Sequence, residues 1–396
     1  MTTTVYRHRL VFAAAASGLL VFGVVLSALG PILPAVIARF GLDRTSAGAL
    51  FSLLTFGVLL GSLVFGPAVD RYGYKLPLAL ATALMGLGLE AIALADELAL
   101  FRAGVFAIGL GGGVVNGGTN ALVADIHTGR RGAGLSLLGI FFGIGACGVP
   151  FALAVLQDAT AYVATLAVIG ALVALPLVLM AAIRFPEPKQ PHGIPIRTAL
   201  GLLKDPVLWL FGLVLFFESG MEITVGGWTA AYVGEELRLS AGTAAFFVSL
   251  YWLAMTVARL GLSVLLERRA PARVLLTSMA VAFAGAVALL AARAPAVAAL
   301  GVVLAGAGFA GVFPIILGYV GERYPALSGT AFSLVLVLAL CGGMTMPYVT
   351  GALADVHGLR ASLLVVPVGI AMVVALFGLV QRWARAAEGA ALYRRR

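Results

Sequence analysis

The sequence predicts an all-α membrane protein of twelve transmembrane helices arranged as two pseudo-symmetric six-helix bundles. Three observations lead there: the composition, the spacing of the apolar segments, and a repeat at one fixed offset. Of 396 residues, 62% are hydrophobic and 11% are charged, whereas a soluble domain is about half apolar and about a quarter charged. Segments of roughly 20 apolar residues, enough to cross about 30 Å of hydrocarbon, follow one another along the chain. They fall near 10–38, 46–69, 76–95, 99–125, 132–157 and 160–183, then near 206–233, 241–266, 273–292, 295–321, 328–354 and 360–381. Lipid offers backbone groups no hydrogen-bond partners, so spans of this length must be helices. The first begins after Arg7-His8-Arg9 and is too long for a signal-peptide core of about 7 to 15 residues, which makes it a retained span.

The two halves match at an offset of 197 residues. Gly30 matches Gly227, Asp70 matches Glu267, Gly109 matches Gly306, Asp125 matches Glu322, Gly145 matches Gly342, Pro150 matches Pro347 and Asp158 matches Asp355. Acidic residues at span boundaries rarely align by chance, so the duplication is read as real. It divides the chain into an N-terminal bundle (1–184), a cytoplasmic linker (185–205) rich in proline, a C-terminal bundle (206–383) and a basic cytoplasmic tail (384–396). Six helices repeated in the same orientation imply bundles related by an axis along the membrane normal. In that architecture a site near the midplane opens to one side and then to the other.

Charge sets the direction. Nineteen of the 26 Lys and Arg residues lie in the tails, the linker and the even-numbered connections, six lie in the opposite connections, and Arg259 lies within a span. The nineteen are expected on the cytoplasmic side, with both termini, in a multi-pass protein of the cell inner membrane. The net charge of +9 is then orientation plus attraction to anionic headgroups, so no nucleic-acid partner is implied. Cys147 and Cys341 sit in apolar runs and offer neither a disulfide framework nor a zinc site. No metal or cofactor is expected. Nor is an enzyme of the membrane interior, since the histidines, His8, His127, His192 and His357, all fall at span ends or in loops. The bundles require no partner subunit, and a monomer is expected.

Between the second and third spans stands GPAVDRYGYK, Gly66 to Lys75. Gly73 permits a tight turn, while Asp70, Arg71 and Lys75 sit at the headgroup boundary, where an aspartate can cap a neighbouring helix. This stretch resembles the signature loop of the major facilitator superfamily at every specified position. The resemblance implies the major facilitator fold and a transport function. It also implies a cytoplasmic gate in which Asp70 faces the start of the eleventh span, near Gly329 to Phe332, and the basic residues face an acid such as Asp125. The second-half copy, Glu267-Arg268, lacks the following glycine and lysine and is expected to contribute less.

Two further stretches resemble the fucose, galactose and glucose proton-symporter branch: GLGGGVVNGGTN, Gly109 to Asn120, and the G-x-E-x-x-x-G-G-W core from Gly220 to Trp228. Asn116 and Asn120 share a helical face. Unpaired amides facing lipid would cost several kcal/mol, so they either meet sugar hydroxyls in a cavity or bond across helices. Glu218 and Glu222 also share a face, 12 and 16 residues beyond Pro206 and near mid-bilayer. Away from water such carboxyls favour the neutral form, and the like charge one turn away adds to this. The pair is a candidate proton carrier. Moving one charge through 100 mV is worth about 2.3 kcal/mol, enough to hold a solute gradient of about fortyfold. The plainer alternative is an ion pair with Arg259. Trp228 either stacks on a sugar ring or anchors at the interface, and Tyr251 and Trp252 either line the site or pack the interior. Glu90, near the outer end of the third span, is either a fallback proton site or an interfacial acid.

One departure matters. The branch uses acids in the first and fourth spans, whereas here the first has none and the fourth carries Asn116. The expectation is a secondary active transporter taking up a small polar solute, a hexose or deoxyhexose, with protons across the lipid bilayer. The alternatives are a proton-coupled exporter of drugs or apolar metabolites and a sugar uniporter.

Overall fold

A computed structural model describes residues 6–126, 131–156, 161–186, 201–324 and 328–393. The side chains of residues 67, 70, 124, 131–136, 161, 263, 267, 328–330 and 384–393 lie outside that description, and so do Asp158, most of the linker and the Arg394–Arg396 tail. Twelve helices are long and apolar enough to cross a membrane. Spans 1 to 5 run His8–Phe40, Arg44–Tyr72, Lys75–Leu94, Leu98–Ile126 and Arg131–Leu156, and span 6 comprises Ala161–Leu172 and Ala174–Ala182. Spans 7 to 9 run Pro206–Glu236, Ala241–Arg268 and Pro271–Ala291. Span 10 comprises Pro295–Phe309 and Val312–Arg323, span 11 runs Ser328–His357, and span 12 comprises Leu359–Ser362 and Val365–Tyr393.

The three broken spans share a cause. A proline cannot donate to the carbonyl four residues before it, and its ring crowds that carbonyl. Pro176, Pro314 and Pro367 each follow a break by three or four residues, at Val173, at Ala310–Gly311 and at Leu363–Leu364. Helix starts are fixed by caps: Asp43 accepts from Ser46 N–H, Asp205 from Val207 N–H and Ser240 from Thr243 N–H. Gly41 at φ 61° ends span 1 in the left-handed conformation that glycine adopts without strain.

Inside each half, spans pack backbone on backbone through glycines, as membrane helices do when no side chain intervenes. A Cβ on Gly109 would strike the Leu54 carbonyl, and one on Gly306 would strike the Tyr251 carbonyl. Both pairs are 197 residues apart, so spans 4 and 10 meet spans 2 and 8 in the same way. Gly145 on the Leu20 carbonyl and Gly342 on the Phe216 carbonyl repeat the arrangement for spans 5 and 1 and for spans 11 and 7. The duplication read in the sequence is thus present in the packing.

Twelve spans bring both ends of the described chain to one face, here the terminal face; the opposite one is the far face. Between described residues, every hydrogen bond and ion pair joining the halves lies between the far face and the middle. Asp355 of span 11 accepts from Arg44 N–H (2.9 Å), Thr45 N–H (2.8 Å) and the Thr45 hydroxyl (2.6 Å), capping span 2 across the interface. Arg44 donates to the Ala354 carbonyl at 2.8 Å and to both Glu235 carboxylate oxygens at 2.7 Å. Deeper in, Ser52 donates to the Met344 carbonyl, and Ser249 donates to the Cys147 carbonyl at 3.2 Å. Gly30 lies against the Gly226 carbonyl where spans 1 and 7 cross. Toward the terminal face Leu63 and Val64 are exposed, and a Cβ at Gly66, Gly139 or Gly261 would meet no atom within 4 Å. Among the described residues the halves are joined at the far face and in the middle, and no hydrogen bond or ion pair joins them nearer the terminal face.

Candidate functional site

Span 7 carries the site because it crosses the middle of the molecule beside spans 1, 8 and 11. Its start is fixed by Asp205 and Pro206, and the four-residue spacing then places Glu218 and Glu222 on one side. Glu218 is 1% exposed, and its Oε1 has no hydrogen-bond partner among the described residues. Glu222 Oε2 lies 3.7 Å from Arg259 Nη2 of span 8, and the two side chains are 16% and 37% exposed. That separation is a charge pair longer than a hydrogen bond. The partner proposed from sequence is therefore present, but it does not enclose the acid.

Around this pair the aromatic groups are committed. Tyr251 is fully buried and donates its hydroxyl to the Glu222 backbone carbonyl at 3.2 Å. Trp252 stands edge-on to it, its indole N–H buried and without a partner among the described residues. Trp228 is fully buried, donates to the Pro347 carbonyl at 3.1 Å, and packs on Phe51 of the other half. It belongs to the far closure and presents no surface to a cavity here, because Gly351 and Gly48 bring span 11 close against span 2 beside it. Just below, a void of about 10 Å³ between Ser27, Phe51, Ile223 and Trp252 holds at most one water. On the far side of this constriction an apolar cavity of about 200 Å³ lies between Pro31, Pro34, Leu153, Tyr162 and Ala230.

Asn116 and Asn120 lie on one side of span 4, both half-buried, one and two turns beyond Gly112, which faces Phe22 of span 1. Asn120 Nδ2 donates to the Asn116 backbone carbonyl at 2.8 Å and to its Oδ1 at 3.2 Å, so part of their capacity is spent on one another. Glu90 packs against Gly170 of span 6 inside the first half.

The signature loop departs from the expected pairing. Gly73 does make the turn, at φ 74°, but Lys75 Nζ donates to the Ala181 and Ile183 carbonyls at 2.7 and 3.0 Å, closing the end of span 6. Arg71 is exposed beside the Tyr72 ring, and Asp125 accepts from the Tyr74 hydroxyl at 2.6 Å. Lys75 is satisfied by the end of span 6 and does not meet Asp125, which lies in the same half and accepts from Tyr74 instead. The Asp70 and Glu267 side chains lie outside the described residues. The acids that do join the halves, Glu235 and Asp355, were not singled out as a latch. The alignment of Asp355 with Asp158 was the available signal.

Two bundles of six helices, duplicated in packing and joined at one end around a charged centre, fit a membrane transporter. The Major Facilitator Superfamily family model matches residues 15–335 and 220–391, and the chain belongs to that superfamily. It is 26% identical over 371 residues to the uncharacterized transporter y4wD of Sinorhizobium fredii, covering 91% of this chain and 96% of that one. It is 34% identical over 178 residues to the 4-hydroxybenzoate transporter PcaK of Pseudomonas aeruginosa, covering 44% and 39%. Among solved structures, the nucleoside transporter NupG superposes with a TM-score of 0.76 at 14% identity, covering 95% of this chain and 98% of that one. A D-xylose-proton symporter also gives 0.76, at 16% identity, covering 93% and 96%.

Proposed function

We propose that the protein takes up a small polar solute together with protons, by alternating access around the Glu218–Glu222 pair. The observation that supports this is an acid pair at mid-span, one member buried with no hydrogen-bond partner for Oε1 among the described residues and the other largely buried beside a cation. A carboxyl group in lipid is costly as an isolated charge, and its neutralisation can be linked to which face the site meets. The far face would be external and the terminal face cytoplasmic, following the distribution of Lys and Arg. The terminal gate, with Asp70, Arg71, Gly73, Lys75 and Asp125, would assemble only when that face closes.

A hexose or deoxyhexose is the first solute to test, on the strength of the resemblance in spans 4 and 7. The sugar assignment rests on that resemblance alone, because Asn116, Asn120, Tyr251 and Trp228 have prior hydrogen bonds. The partial similarity to a 4-hydroxybenzoate transporter supports a small polar solute without restricting it to sugars. The test is counterflow and pH-driven uptake in proteoliposomes with wild type and Glu222→Gln. A variant that exchanges solute but no longer accumulates it supports coupling at Glu222, and undiminished accumulation excludes it.

A further inference from the structure

We infer that Arg259 is the seat of a solute carboxylate, which displaces Glu222 from the guanidinium, so that one monocarboxylate and one proton cross together without net charge. The inference rests on the proton-coupled transport proposed above and replaces a neutral sugar by an acid as the solute.

The argument starts from donors that have nothing to donate to. Arg259 lies nine residues before the end of span 8, from where a long side chain can reach the interface and its water. It turns instead toward Glu222. Guanidinium carries five N–H groups, yet among the described residues none of those of Arg259 has a hydrogen-bond acceptor, and its one ion pair is at 3.7 Å. The side chain is 37% exposed. A planar fork of free donors is suited to a carboxylate, which it can hold through two parallel hydrogen bonds at about 2.8 Å. Glu222 holds its place without making either bond.

Charge then couples the two events. Among the described residues, the titratable and charged groups found against Glu222 are Glu218 on its own helix and Tyr251 and Arg259 on span 8. Spans 1 and 2 bring none over residues 10–38 and 45–69. Among the described residues, Arg259 is therefore the one cation paired with Glu222. When a solute carboxylate takes the guanidinium, Glu222 is left as a largely buried acid with no counter-ion, and it binds a proton from the water of the open face. When the solute leaves, the proton leaves and Glu222 returns to Arg259. Glu218, buried with no hydrogen-bond partner for Oε1 among the described residues, takes no part in this exchange. The empty and loaded centres carry the same net charge, so the pH gradient drives the cycle and the membrane potential does not.

The experiment uses the full-length protein in proteoliposomes with the potential clamped by potassium and valinomycin, and three labelled probes: 4-hydroxybenzoate, gluconate and glucose. The expected result is uptake of one of the two acids driven by an inward proton gradient and unchanged by potential. KM should rise at least tenfold in Arg259→Gln and less in Arg259→Lys, and the preferred acid distinguishes an aromatic from a sugar acid. The double variant Glu222→Gln/Arg259→Gln, which has no unpaired charge to destabilise it, should fold and still fail to bind the acid in solution. Accumulation of glucose with an unchanged KM in Arg259→Gln overturns the inference while leaving proton coupling in place. So does acid uptake that follows the potential. Absence of any pH-driven uptake of all three probes overturns the coupling proposal and this inference with it.

Discussion

Replacing Asp355 by alanine should open the far face, because the three hydrogen bonds that Asp355 accepts from Arg44 and Thr45 exist only while the halves are joined there. The carboxylate acts as a helix cap supplied by the other half. Loss of a capping acid costs about 0.5–2 kcal/mol, and the exposure of the latch argues against adding the full value of each bond. A central figure of about 1.4 kcal/mol is a factor of ten, since RT ln 10 has that size. The ratio of far-open to far-closed molecules should therefore rise about tenfold, with Arg44–Glu235 left in place. The assay is pulsed electron–electron distance measurement between nitroxides at Glu97→Cys and Arg293→Cys, exposed far-face positions on opposite halves, in a Cys147→Ser/Cys341→Ser background. A longer distance should gain weight in Asp355→Ala. An identical distribution in parent and variant would refute the latch.

Gly48→Ala should act more strongly on the same equilibrium, since its Cβ would sit 2.7 Å from the Pro347 carbonyl of the other half; the same distance measurement should show the far-closed population lost while the melting temperature holds. Gly145→Ala, which drives a Cβ into the Leu20 carbonyl of its own half, should instead lower the yield of folded protein in size-exclusion chromatography. Trp228→Phe removes the donor to the Pro347 carbonyl of its own half and should lower the stability of the C-terminal bundle by about 1 kcal/mol with solute KM on the terminal side unchanged; a large KM change would return Trp228 to the binding site. Acid should loosen the start of span 7. Burial opposes the charge of Asp205, but the Tyr324 hydroxyl (2.7 Å), the Val207 N–H (2.8 Å) and Arg323 (3.4 Å) outweigh it and hold the carboxyl below its usual range. Burial, with the Asp205 contact, pushes the Tyr324 hydroxyl up to about 12. A depressed folded value means that the stability from Asp205 is present above the ordinary carboxylate pKa of about 4 and is lost as pH falls through the folded value. Trp209, whose indole donates to the Leu203 carbonyl nearby, should report this in fluorescence-detected melting, and Asp205→Asn should flatten the acid limb.

Much of the architecture was legible because lipid makes sequence speak plainly. A carboxyl in an apolar run is conspicuous, so Glu218, Glu222 and their neighbour Arg259 could be named before any coordinates. The 197-residue offset also had a physical meaning, since Gly109 and Gly306 approach equivalent carbonyls. The three helix breaks were readable in principle from Pro176, Pro314 and Pro367, though Pro31, Pro34, Pro150 and Pro347 sit inside unbroken helices. What the chain could not tell is which apolar surface meets the other half. Trp228 reads alike whether it lines a cavity or closes one, and only the approach of Pro347 and Phe51 decides. Lys75 reads as a partner for Asp125, yet the Ala181 and Ile183 carbonyls at the end of span 6 take its donors. Asp355 at a span end reads as an interfacial acid until Arg44, 311 residues away, is seen against it.

The joined far face has a practical consequence. Its outer surface is a composite of the Gly41–Thr45 turn from one half and Glu235 with Asp355–Gly358 from the other, and Val356 stands 74% exposed at its centre. No such epitope exists once the halves separate. An antibody fragment selected against it would count closed molecules on living cells without a tag on the chain, and by holding that shape would arrest the cycle on demand.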